Sequence, residues 1–322
     1  MRVIFAALMV PGATFVACGS SVETEGASGI TREQACDDVA KAICDEYEKC
    51  VPLLIDVGYG EVAKCYERSK AACASTFDAP GTTMTPAKAS TCATGLRTLS
   101  CEALSTSTPA ACVPDPGALA DGAACAEDGQ CKSTWCAKND DANCGKCAAL
   151  TTVGGACVDV GLKADGSPQK KCSRGLGCTA DKCAKPSETG GACSDTQPCA
   201  LGLACFGAKC VAAGKAGSKC DPAGKTDPPC DIMQGAYCNP TTKVCQTFVQ
   251  AKAGETCGVV GTEYKICVAG AKCVTAPGTT SGTCIAPAID GAACDAKKGP
   301  DCLAPAKCIT GVCKLPDPSV CK

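Results

Sequence analysis

The sequence predicts a small disulfide-rich fold: a disulfide-laced α-helical domain followed by a tandem array of small cysteine-knot-like modules made of short strands and turns. Three observations carry that prediction. The 322 residues include 35 cysteines and no histidine. Val, Leu, Ile and Phe together supply only about 15% of the chain, below the level at which an ordinary apolar core forms. From Gly122 to Cys313 one cysteine pattern recurs six times. Burial alone will not hold such a chain, whereas disulfides, each worth about 2–4 kcal/mol through restriction of the unfolded ensemble, will. Stable disulfides require an oxidising compartment, so an exported protein is expected.

Export is also what the first residues suggest. Residues 1–17 combine Arg2, a short apolar run and small residues, the composition of a signal peptide too short to span a bilayer as a stable helix. Phe15-Val16-Ala17-Cys18 resembles a bacterial lipobox, with Phe15 where leucine is usual. The resemblance implies cleavage before Cys18 and lipidation of that cysteine, hence a membrane partner through the lipid anchor. Setting Cys18 aside leaves an even number of cysteines, as full pairing needs. Residues 18–30 are then the lipidated cysteine and a flexible tether of small polar residues. Gly19 after the lipid cysteine favours the outer membrane or cell surface, with a secreted or periplasmic protein as the alternative.

Residues 31–113 have helical periodicity. Thr31-Arg32-Glu33-Gln34 fits a capping box, and Cys36, Val39, Ile43, Tyr47 and Cys50 follow on one face of a helix. A second helix is expected from about Glu61 to Cys73. A third is expected from Pro86 to Leu104, with Thr85 as its cap and Pro86 in the favoured first position; Gly95 weakens it. Facing residues of an antiparallel hairpin share a constant sum of positions, and 36 with 73 gives the same sum as 44 with 65. Two rungs follow, Cys36–Cys73 and Cys44–Cys65. Cys50, Cys92, Cys101 and Cys112 are left to tie the third helix and the exit segment to that hairpin. Val113-Pro114-Asp115-Pro116-Gly117 then marks a boundary, with residues 114–121 as linker.

The array occupies residues 122–315. Each copy opens with Gly-x-x-Cys, at Gly122, Gly154, Gly190, Gly217, Gly254 and Gly291, and three further cysteines follow. The step from the last cysteine of one copy to the first of the next is constant except between Cys245 and Cys257, so regular linkers separate variable loops. Three residues before the third cysteine stands Gly175, Gly202, Gly235 or Gly270, with Ser133 and Pro305 in the first and last copies; such residues punctuate turns. Four cysteines allow three connectivities, and spacing alone does not choose among them. First to third and second to fourth is the expectation, because interlocked bridges restrain a compact knot better than two separate loops. In the first three copies these are Cys125 with Cys136, Cys131 with Cys147, Cys157 with Cys178, Cys172 with Cys183, Cys193 with Cys205, and Cys199 with Cys210. Cys144 and Cys321 fall outside the pattern. They could bridge the first copy to the tail at 316–322, or Cys144 could pair locally within an irregular first copy.

The form Gly-x-x-Cys, Cys, Gly-x-x-Cys, Cys resembles the Dickkopf N-terminal cysteine-rich pattern and the related EB-type modules, in the tandem form of secreted myxobacterial proteins. It covers roughly residues 120–315. The resemblance implies a disulfide scaffold and carries no signalling role. The long loop from Cys157 to Cys172 departs from it, as does the additional Cys144.

Chemistry is sparse. Without histidine, imidazole acid–base catalysis and triads that use it are excluded. The acidic pairs Asp37-Asp38, Asp45-Glu46 and Asp140-Asp141 read as solvated helix faces or a turn. Cys144-x-x-Cys147 has zinc or redox spacing, but no second such pair completes four ligands, so no metal, cofactor or catalytic site is assigned. The net charge of −2 is not segregated and aromatics make up 3%, which argues against a nucleic-acid partner. Trp135 is expected to pack on a disulfide or, if exposed, to anchor a partner. Lys146, Lys182 and Lys209 read as solvated loop charges. The function expected is non-enzymatic, binding or adhesion to an unknown surface or secreted protein or a structural stalk, with the Cys157–Cys172 loop as the best contact. A protease inhibitor and a thiol-based metal-binding protein are the alternatives.

Overall fold

The structure, a computed structural model, describes residues 29–138, 142–157, 171–295 and 298–321. The expected signal peptide, Cys18, nearly all of the tether, Asp140-Asp141 and most of the Cys157–Cys172 loop lie outside the described residues. What is described is disulfide-rich throughout, with helices first and short strands after them.

Helix α1, Arg32–Cys50, begins with the expected capping box: the Gln34 amide donates to Thr31 Oγ1 at 3.2 Å, and the Thr31 amide donates to Gln34 Oε1 at 3.0 Å. Helix α2, Pro52–Gly58, follows at once, opened by a proline at its first position. Helix α3, Val62–Asp78, runs antiparallel to α1, and the two expected rungs join them, Cys36 to Cys73 and Cys44 to Cys65. One side of the hairpin packs Ala35, Ala72, Phe77 and Ala89 around the first rung; the other packs Ile55, Tyr47 and Tyr59 around the second. Small residues let the backbones approach to disulfide distance, so the rungs and the apolar contacts occupy the same layer.

The third helix is corrected. Instead of running from Pro86 to Leu104 it divides into α4, Pro86–Arg97, and α5, Cys101–Thr106. Ser100 is the reason, since its hydroxyl accepts the Ala103 amide at 3.1 Å and starts a new helix. The Cys50–Cys101 bridge then holds α5 at the end of α1. Gly95 has a packing role: a Cβ there would lie 2.8 Å from Pro109, whose segment crosses α4 on its way to the Cys92–Cys112 bridge.

All six modules share one construction. The third and fourth cysteines face each other across a short antiparallel hairpin, Cys136 opposite Cys147 in the first and Cys308 opposite Cys313 in the last. Directly opposed residues project to the same face of a hairpin. That face receives the first cysteine onto the third and the second onto the fourth in every module. The opening glycine has a positive φ in all six, between 77° and 89°, and a Cβ there would meet nothing within 4 Å. Its role is therefore conformational. It turns the chain so that its amide donates to the carbonyl of the module's fourth cysteine, at 2.7 Å from Gly122 to Cys147 and 2.8 Å from Gly254 to Cys284.

The segments between copies are more than spacers. Three residues before each opening glycine the chain pairs in parallel with the second cysteine: Leu119 with Cys131, Thr151 with Cys172, Ser187 with Cys199, Gly214 with Cys230, Ala251 with Cys267 and Ala288 with Cys302. From Gly117, whose amide donates to the Cys131 carbonyl at 2.9 Å, the expected linker at 114–121 is thus part of the first module.

The modules do not extend away from the helices; they pass around them. In the first, the Thr83 amide donates to the Gly129 carbonyl and Gln130 Nε2 to the Pro80 carbonyl. In the second, a Cβ on Gly175 would lie 2.7 Å from the Thr106 carbonyl oxygen. The Leu201 amide of the third donates to Ser105 Oγ, and Gln234 of the fourth donates to the Cys50 carbonyl. The Ala269 and Gly270 amides of the fifth donate to the Asp56 and Val57 carbonyls at 2.8 and 2.7 Å, continuing the free end of α2. Arg68 on α3, nearly buried, makes a bidentate pair with Asp290 of the sixth at 2.8 Å and also donates to the Leu303 and Ala304 carbonyls. In modules two to six the turn before the third cysteine supplies a helix-facing contact. Cys144 of the first module is joined to Cys321 of the tail, so the ring closes on itself around a helical hub.

Candidate functional site

The expected contact loop, between Cys157 and Cys172, has a firmly built base. Cys157 is bridged to Cys178 and Cys172 to Cys183, so both roots of the loop end on one knot. Just before Cys172, the Lys171 carbonyl accepts the Thr151 amide at 2.7 Å, and its ammonium stands 6.0 Å from the centre of the Trp135 ring. Arg174, two residues beyond Cys172, donates to the Thr134 carbonyl and hydroxyl at 3.0 and 3.2 Å and lies 3.6 Å from Asp128. Asp128 in turn accepts the Cys136 amide at 2.8 Å. Two modules therefore meet at a joint made of one tryptophan, two cations and one carboxylate, and the loop springs from that joint.

Electrostatics at the joint follow from its burial. Burial lowers the Lys171 ammonium to about 8, against the pull of Asp128, because the charged form loses water; Arg174 lowers it further. Burial raises Asp128, opposed by its bond from the Cys136 amide and by Lys171, Arg174 and Lys138. About a third of the Asp128 side chain stays in solvent, which screens these effects. Trp135 itself is only 5% exposed. It serves as the floor of the joint, not as an exposed anchor. Lys171, Arg174 and Asp128 carry no motif in the sequence; only their closeness to the odd tryptophan and the long loop could have drawn attention to them.

The other expected residues are placed as follows. Asp37 pairs with Lys70 at 2.8 Å, Asp38 accepts the Ser90 hydroxyl at 2.8 Å, and Glu46 pairs with Lys49 at 3.0 Å, so these carboxylates tie helices or helix turns together. Asp45 accepts the Tyr66 hydroxyl. Lys146, Lys182 and Lys209 are exposed. Triplets of cysteine sulfurs lie within 4.8 Å of one another in the modules, a spacing that could suggest metal binding. They are disulfide sulfurs, however, and the thiolates that a zinc-type site requires are consumed in the bridges. Cys144 is likewise bridged, so it offers no redox pair with Cys147.

Two depressions on the described surface are shallow and open, one beside Gln250, Glu255 and Lys265 and the other beside Gln34, Asp37 and Lys41. In modules two, three and six the hairpin turns have two consecutive positive-φ residues, Ala180-Asp181, Gly207-Ala208 and Thr310-Gly311, the geometry that matches strand twist in a two-residue hairpin. No family model, curated protein or solved structure matches this chain.

Proposed function

We propose that this protein is a non-enzymatic binding module of the bacterial surface, anchored by lipid on Cys18, that presents variable loops from a closed disulfide ring to another surface or secreted protein. The bridges themselves place the chain in an oxidising environment, and no helix among the described residues is long and apolar enough to cross a membrane. Anchoring at the outer membrane is the finer reading, supported by the lipobox-like Phe15-Val16-Ala17-Cys18 and the resemblance of the repeats to secreted myxobacterial arrays.

One observation carries the binding reading. The longest interval between first and second cysteines in the array, Cys157 to Cys172, has both its roots bridged to one knot beside a packed tryptophan, so its two ends are fixed before any partner arrives. A thiol-based metal store fits less well, because its ligands would have to come from bridges that hold the fold together.

The test compares the whole protein with a variant in which residues 158–170 are replaced by a Gly-Ser segment of equal length, both labelled and applied to intact cells of the producing organism. Saturable binding that the replacement lowers at least ten-fold supports the reading. Equal binding by both, or none by either, overturns it. Intact mass of the membrane-fraction protein checks the anchor: a diacylglycerol-modified Cys18 is expected, and an unmodified soluble product removes the lipid from the proposal.

A further inference from the structure

We propose that the Cys144–Cys321 bridge is a thiol–disulfide exchange site, at which a dithiol reductant opens the ring while the knots and the helical hub stay folded. This does not depend on the lipid or loop readings.

Three observations set this bridge apart. The first is reach: it spans 177 residues, whereas the next longest, Cys50–Cys101, spans 51 and stays within the hub. Every other bridge lies within the helical domain or within one module; this one joins the first module to the end of the sixth. The second is access. Both of its cysteines are half-buried, as are both of Cys294–Cys308; Cys205 and Cys273 are exposed, but their partners Cys193 and Cys257 are buried. Next to Cys321, Val320 is 54% exposed. The third is isolation. Cys294–Cys308 lies on the hairpin that also carries Cys302–Cys313, so its thiols, once formed, stay registered by the neighbouring bridge and re-close. Cys144–Cys321 crosses Cys131–Cys147 in sequence, but its two cysteines do not share a hairpin, and among the described strands none carries Cys321. Cys321 follows a single 3-10 turn, Pro318–Val320, and Cys144 immediately precedes a three-residue strand, Gly145–Cys147.

The step balances with a dithiol as co-reactant. One thiolate of the reductant attacks Sγ of Cys144 or Cys321, forming a mixed disulfide and expelling the other cysteine as a thiolate, which takes a proton from water. The reductant's second thiol, having lost its proton, displaces the bound cysteine. The products are two protein thiols and one oxidised reductant, with two electrons transferred. The Lys307 ammonium, which donates to the Ala142 carbonyl at 3.3 Å, then links the first and last modules, a contact able to break and re-form.

Graded dithiothreitol applied to the native full chain, followed by alkylation and peptide mapping, tests the proposal. Cys144 and Cys321 are expected to be alkylated first, at a reductant concentration at least ten-fold below that needed for any other pair. Earlier or simultaneous reduction of Cys294–Cys308 or of any hub bridge overturns it. Hydrogen exchange at that low concentration should rise in 142–147 and 314–321 and stay unchanged in α1 and α3; general loss of protection also overturns it. The double variant Cys144→Ser, Cys321→Ser gives an independent check, because two thiols still released from it at the same concentration would show that another bridge is the labile one.

Discussion

In the helical hub, bridges are laid across elements that have caps and apolar contacts of their own; in a module the bridges are the core. Around Cys36–Cys73 the hub packs Phe77, three alanines and three half-buried apolar neighbours, whereas the first module's buried cluster is Cys125, Cys131, Cys136 and Cys147 with Leu119 at its edge. The difference teaches what each bridge does. A hub bridge restricts a chain that already has reasons to form helices. Among the described residues of the modules the largest fully buried side chains are all cysteines, so a knot bridge supplies the centre of what its module buries.

The sharpest way to break that contrast is to remove one bridge from each side. Replacing Cys267 and Cys284 with serine should unfold module five locally, abolishing hydrogen-exchange protection over residues 251–285. Replacing Cys44 and Cys65 should cost about 2–4 kcal/mol in global stability but leave the helical circular dichroism in place at low temperature. If the module keeps its protection, the bridges are not its core.

Next comes the contact that fastens ring to hub. Arg68→Leu removes five donors from a side chain 9% exposed and leaves Asp290, 37% exposed, able to rehydrate. A loss of about 2–3 kcal/mol by chemical denaturation is expected, below the cost of breaking a fully buried pair because solvent reaches one partner. Asp290→Asn should lose less and should be non-additive with Arg68→Leu.

Two glycines of the repeat give a finer comparison. Gly291→Ala meets open space and pays only for a left-handed backbone at φ +83°, about 1–2 kcal/mol. Gly270→Ala pays that and also brings a Cβ to 2.9 Å from Leu303, between a module and α2, so its melting temperature should fall further.

The smallest effect concerns pH. Lys171 binds its proton less tightly in the folded chain than in the unfolded one, so between about pH 8 and its ordinary value near 10.5 the unfolded state holds the extra proton and stability rises with pH. Tyr47, Tyr59 and Tyr66, all raised, act in the opposite direction above about pH 10, so the window to measure is pH 8–10. Lys171→Met should flatten the rise in melting temperature across that window, and an unchanged slope would show that Lys171 titrates normally.

Local features of this fold were legible in the sequence because each has a local cause. The capping box at Thr31 and the equal sums of the hub cysteines follow from helix geometry, and the opening glycines follow from the need for positive φ. Ser100 carried a readable signal too, a capping residue followed by Glu102, but the longer periodicity through Leu104 hid it. The closure of the array around the helices was not legible. Its contacts use backbone groups, such as the Gly270 amide on the Val57 carbonyl, which any sequence possesses, or single charged residues such as Arg68 and Asp290 that show no spacing. The candidate site was half legible. The long loop stood out by its length, while Lys171 and Arg174 became informative only once the fold set them beside Trp135.

Closure also fixes arithmetic. An open array tolerates the gain or loss of a unit by unequal recombination, since each unit contacts only its neighbours. Here every unit also has its own place on the helices, and the tail must arrive within disulfide reach of Cys144. A chain with five or seven copies would leave Cys321 about a module's width from its partner and one seat on the hub empty or doubly claimed. The repeat number in this architecture is therefore set by the circumference of the hub and cannot drift one copy at a time.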